Sequence, residues 1–191
     1  MGYELVKAEA EKGAQSKNPD VIDLTMRGWI LIWRGYQQPL KDRHESSNEA
    51  RALFDEALKI DPNDPDALAG SAYTYYNDYF FGWNNAETDY EAKVLGQANR
   101  AIALASDNVR AYSTKAIYLS MSRRPSEALG TAEAGLAINP NYVLLLAPRI
   151  TAENSLGQYE QAKADAQLAM RLERFSIRPS RRRHCERSEA I

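Results

Sequence analysis

The sequence predicts an all-α fold in which helical hairpins stack into a solenoid, and three observations carry the prediction. Helix-favouring Ala, Leu, Glu, Lys and Arg dominate, while alternating runs of Val, Ile and Thr are missing. Small residues recur at long fixed spacings: Gly13, Ala57 and Ala101 lie 44 apart, then Gly135 and Ala169 follow at 34. A second series (Gly28, Ala72, Ala116, Ile150) steps by 44, 44 and 34. Two series that change period together imply a 34-residue repeat with two insertions of about ten residues. They fall near 36–45 and 78–90, each between the two helices of its repeat.

The repeat has a physical cause. Ala128, Ala132 and Gly135 are matched 34 residues on by Ala162, Ala166 and Ala169. Side chains three and four apart share a helix face, and Ala or Gly there lets a neighbouring helix approach. Phe54, Leu58, Leu136 and Met170 fill the remaining space. A hairpin alone buries only part of its apolar surface, so hairpins stack.

In chain order, residues 4–16 match only the second helix of a repeat, as expected of a chain that begins in mid-repeat within something longer. Hairpins follow at about 21–60, 65–105, 109–139 and 143–172. The first boundary is written in ALKIDPNDPDALAG, residues 57–70. Leu58 and Ile60 end one helix, Pro62 stops it, and Asp64 caps the next ahead of Pro65. Asp66 then sits in the first turn, where the helix dipole favours it. A calcium loop counted from Asp61 needs glycine and glutamate where Asp66 and Ala72 stand. The three carboxylates are turn punctuation. In the last hairpin Pro148 predicts a kink over Leu144 to Pro148, or a helix starting only near Ala147. Residues 173–191 lose periodicity and read as a basic, disordered tail.

Charge and composition narrow the function. Residues 171–191 hold seven Arg and three Glu; subtracting that +4 from the overall −2 leaves −6 for the rest. An acidic body with a basic tail is not a nucleic-acid-binding surface. No apolar run reaches membrane-spanning length, and the first residues lack the apolar core of a signal peptide, so a cytoplasmic protein is expected. Cys185 is the single cysteine, which suits a reducing compartment. His44 lies in the polar stretch KDRHESSNE and His184 in the tail, neither in company suited to catalysis or metal binding. With no phosphate-binding glycine loop either, no catalytic residue, metal or cofactor is expected, and the chain is read as a non-enzyme.

The stretch YTYYNDYFFGWNNAETDY, residues 73–90, holds eight of the 18 aromatic residues. Two readings stand. The rings pack the insertion onto its own hairpin, or some of them form a contact surface.

ARALFDEALKIDPNDPDALAGSAYTY, SEALGTAEAGLAINPNY and SLGQYEQAKADAQLA together resemble the tetratricopeptide repeat family over roughly residues 4–172. Tyr75 keeps an aromatic slot of the motif; Leu119 and Glu153 stand where Tyr is common. The resemblance implies a right-handed α-solenoid of antiparallel hairpins, with the first helix of each lining a concave groove that binds a peptide or protein segment. On that implication Trp29, Trp33, Tyr73, Tyr76 and Asn77 line the groove, continued by Arg110, Thr114, Ile117 and Met121. The basic, Asn-rich clamp that some members use for chaperone tails is absent, because Thr25, Trp29, Asp66 and Gly70 occupy its places. The pattern around DLTMRGW is also similar to the repeat regions of bacterial class III nucleotidyl cyclases. That implies, as the alternative, a regulatory segment of a longer signalling protein. The tail looks like translated bacterial repetitive intergenic sequence. Partners are expected to be proteins, not nucleic acid or membrane. Self-association through uncapped solenoid ends is expected too, because a terminal hairpin exposes the face meant for its neighbour.

Overall fold

Helices begin where a side chain can accept the first free backbone N–H groups. The computed structural model describes residues 18–83 and 85–172; the segments read above as 4–16 and 173–191 lie outside them. Asn18 accepts from the Asp20 amide at 3.0 Å and opens α1, Pro19–Tyr36. Asp64 accepts from Ala67 at 2.7 Å and opens α3, Pro65–Phe81. Asp89 and Asn108 do the same for α4, Tyr90–Leu104, and α5, Val109–Met121. α2, Leu40–Ile60, and α6, Pro125–Ile138, start without a side-chain cap, the latter with proline in its first turn. α7 spans Val143–Ser155 and α8 spans 159–172.

The carboxylates of 61–66 act as the turn reading requires. Asp64 caps α3, and Asp61 accepts from the Asn63 amide at 2.9 Å.

From α1 to α7 each helix packs on the one that follows it, and α8 packs on α7 through Leu168, Leu172 and the Asp165–Arg149 pair. The odd helices also touch in sequence, α1 on α3, α3 on α5 and α5 on α7. No comparable contact joins α2 to α4 or α4 to α6. Rows that approach closely on one side and stand apart on the other curve the stack, so α1, α3, α5 and α7 line its inner face.

The small-residue series sits inside the stack. Ala57, Ala72, Ala101, Ala116, Ala128 and Ala132 are fully buried. Phe54 fills the space between three helices, its ring wedged between Gly28 of α1 and Gly70 of α3. Burying such a side chain contributes about 1.5–3 kcal/mol.

The two insertions are accommodated differently from the sequence expectation. The first is not a connection between helices. α1 and α2, with 18 and 21 residues, exceed α5 and α6, with 13 and 14, and only 37–39 join them. The polar stretch KDRHESSNE therefore coils into α2. It does so because Arg43 donates to the terminal carbonyls of Gly35 and Tyr36, both at 3.2 Å, and caps α1. Its guanidinium lies 4.7 Å from the Tyr36 ring centre and 5.2 Å from that of Phe81. The second insertion divides: α3 gains a turn, and of the rest the described residues 82–83 and 85–89 lie outside helices, entered through Gly82 at φ 71°.

Pro148 gives a further correction. α7 starts at Val143, a turn ahead of the proline, and not near Ala147. So early in a helix, the missing N–H deprives only the Leu144 carbonyl of its partner, and the cost is local.

Candidate functional site

The inner face is assembled from α1, α3, α5 and α7, and burial divides its residues into two sets. Trp33 of α1 is 66% exposed, Phe80 of α3 46%, Met121 of α5 39% and Leu144 of α7 43%. These are the side chains a partner can touch. Trp29, Arg110 and Ile117 are half-buried. Tyr73, Tyr76, Asn77 and Thr114 are buried.

Hydrogen bonds join the buried set to neighbouring helices. Tyr73 donates its hydroxyl to Tyr36 at 2.9 Å, Tyr36 donates to Asn77 Oδ1 at 3.0 Å, and Asn77 Nδ2 reaches Ser47 Oγ at 3.5 Å. This chain ties α1, α3 and α2 together through side chains whose polar tips need partners once buried. Burial pushes the Tyr73 hydroxyl well above the usual tyrosine range, and the neighbouring Tyr36 adds to it. Tyr76 is raised by burial and then by Tyr36. Tyr36 is itself raised by burial, against the opposing effects of Tyr73 and Arg43. All three remain neutral near pH 7, so the cluster carries no charge of its own.

Ring contacts run on from this network. Trp29 meets Phe54 edge-on at 5.6 Å and Tyr73 at 5.8 Å. Tyr73 packs on Tyr76 at 5.5 Å, and Tyr76 stacks on Phe80 at 5.7 Å. The loop end of the stretch folds outward instead: Phe81 stacks on Trp83 at 4.7 Å, and Trp83 on His44 at 4.5 Å. The aromatic stretch therefore packs in two directions. Phe81 holds Trp83 to α3 and His44 ties it to α2 of the preceding hairpin, whereas Tyr73, Tyr76 and Phe80 pack along α3.

Charge on this face is internally paired. Arg110 lies 3.8 Å from Asp66 Oδ1 and 5.1 Å over the Trp29 ring, and Asn108 donates to the same aspartate oxygen at 2.9 Å. Thr114 spends its hydroxyl on the Arg110 carbonyl at 3.0 Å, one turn back along its own helix. It faces the packing between helices, and offers no polar atom to a partner.

Phe80 and Leu144 were not singled out by sequence reasoning. Leu144 lies 34 residues after Arg110, so extending the row by one more repeat reaches it. Phe80 stood among so many aromatics that no spacing rule separated it from Phe81.

Paired antiparallel helices, stacked with the first of each pair inside, define the class. The chain is a helical solenoid with the tetratricopeptide-repeat fold. It is similar to the solved structure of MamA, with a TM-score of 0.56, 15% identity, and coverage of 90% of this chain and 86% of that one. A thermophilic TPR protein of Thermus thermophilus gives 0.54 at 24% identity, covering 76% and 74%. In sequence, the chain is 29% identical over 175 residues to a DnaJ homolog subfamily C member 7 homolog of Schizosaccharomyces pombe, covering 84% of this chain. It is 34% identical over 98 residues to the putative adenylate cyclase 3 of Rhizobium meliloti, covering 51% of this chain. The matched regions are 34% of the first relative's length and 17% of the second's. No family model matches the chain. Among the described residues no helix is long and apolar enough to cross a membrane.

Proposed function

We propose that the chain is a protein-interaction scaffold that holds an apolar peptide or protein segment along the inner face of the solenoid. The observation that carries this reading is that each of the four inner helices exposes a large apolar side chain, Trp33, Phe80, Met121 and Leu144 in turn. Large apolar side chains on a rigid, buried polar and aromatic base give contact area at little entropic cost. The one ion pair described there, Asp66 with Arg110, is internally satisfied, which disfavours a strongly charged partner. A few such anchors suffice for micromolar binding, about −8 kcal/mol. The test selects binders from a displayed random-peptide library and compares wild type with Trp33→Ser/Met121→Ser. Both positions are exposed, so helical content should persist while affinity falls at least tenfold. Equal affinity in the double variant refutes the inner face as the site.

A second reading has a specific observation behind it. The match to a putative adenylate cyclase favours a regulatory repeat segment of a longer signalling protein. Sequencing the genomic frame upstream of Met1 tests it: an in-frame cyclase domain is expected, and a stop codon directly ahead of Met1 refutes it.

A further inference from the structure

α7 and α8 meet at one point around charges where the repeat motif commonly places an aromatic ring. Glu153 of α7 is 1% exposed, and its Oε1 accepts from Arg149 Nε at 3.2 Å. Its other oxygen, Oε2, is buried without a hydrogen-bond partner. Asp165 of α8, also buried, brings Oδ2 to 2.9 Å from the same Arg149 Nε. Two buried carboxylates thus share one guanidinium edge, and the cluster carries a net −1 when both are ionised. Glu133 of α6 adds a further negative charge facing Glu153. The charged side chains of α5 act elsewhere, Arg110 on Asp66 and Lys115 on Glu127. Burial, and after it the Asp165 charge, hold the Glu153 carboxyl above the usual glutamate range.

We propose that the α7–α8 hairpin is a pH-sensitive latch: protonated Glu153 holds α8 against the stack, and its ionisation beside Asp165 loosens α8. The proton removes the like-charge contact and the uncompensated buried charge together. A carboxyl raised in the folded state contributes stability that is complete below its unfolded value. That stability is lost as pH rises through the folded value. One proton allows a change of at most about tenfold per pH unit.

The test is amide hydrogen exchange of 159–172 in the full chain from about pH 5 to about pH 8, corrected for intrinsic exchange, with α3 as internal reference. Wild type should lose protection in 159–172 as pH rises, while Glu153→Gln, which mimics the protonated group, should show a flat profile above wild type at the alkaline end. Asp165→Asn, which removes the like charge, should move the wild-type transition to lower pH. A wild-type profile that is flat or rises with pH overturns the proposal, as does a Glu153→Gln profile with the wild-type slope. Loss of protection at all pH values in both variants means the cluster is purely structural, and overturns it equally.

Discussion

Adding one methyl group to a helical glycine should have opposite effects at two places in this chain. A Cβ at Gly70 would overlap the Phe54 ring, and that ring is fully buried between the backbones of Gly70 and Gly28. Gly96 of α4, by contrast, has no heavy atom within 4 Å of where its Cβ would stand. Both glycines lie inside helices, so alanine gains about 1 kcal/mol of helix propensity at either position. At Gly96 nothing opposes the gain. At Gly70 overpacking costs typically 1–3 kcal/mol, and a ring held from both sides places it at the upper end, leaving a net loss of about 1–2 kcal/mol. For a chain of this size that corresponds to a melting temperature lowered by about 2–8 °C for Gly70→Ala, against a rise of about 2–4 °C for Gly96→Ala. Melting followed by far-ultraviolet circular dichroism reads both. Combining Gly70→Ala with Phe54→Leu, a side chain that can vacate the space, should cost less than the sum of the single changes. If Gly70→Ala stabilises the chain as Gly96→Ala does, the ring is not wedged between α1 and α3, and this account of the first core fails.

Arg51 donates to Thr74 Oγ1 and its carbonyl, both at 3.0 Å, and to Asp78 Oδ2 at 2.7 Å, with Asp78 7% exposed in its side chain. Arg51→Ala strands that carboxylate and should cost about 3–5 kcal/mol by denaturant titration, whereas Arg51→Leu/Asp78→Leu should cost much less; equal costs refute the pairing. Tyr36, Tyr73, Tyr76 and Tyr118 are all raised by burial first, so the folded chain keeps protons the unfolded chain releases. Their contribution is complete below the ordinary tyrosine value near 10 and is lost as pH rises through the folded values. Phenolate absorbance should therefore show a late-titrating group of tyrosines that joins the early one in denaturant, and a single titration step in the folded chain would contradict this.

The periodicity of small residues made the hairpins legible, because a helix that must be approached closely can carry only Ala or Gly there. That constraint is local to each helix, so Ala57, Ala101 and Ala132 declare themselves in the sequence. The caps were legible for the same reason, since Asp64 serves an amide three residues away. Where an inserted segment goes is not local. KDRHESSNE reads as a polar connection, and becomes helix because Arg43 finds the end of α1 between the rings of Tyr36 and Phe81. Pro148 likewise predicts a kink over Leu144 to Pro148 or a late start to α7; the helix starts at Val143, because the lost donor touches a single turn and Leu145 and Leu146 are buried in the stack.

The sequence by itself determined the repeat and the hairpin order, since these follow from a periodicity within one chain. Only the tertiary structure decided which inner-face residues are surface and which are support. Trp33 and Tyr73 are both aromatic residues of inner helices, yet one is 66% exposed and the other 8%. The difference lies in their neighbours. Tyr73 is enclosed by Trp29, Tyr36 and Tyr76 from two helices, and exposure depends on what adjoining helices bring to a position, which no spacing along one helix encodes.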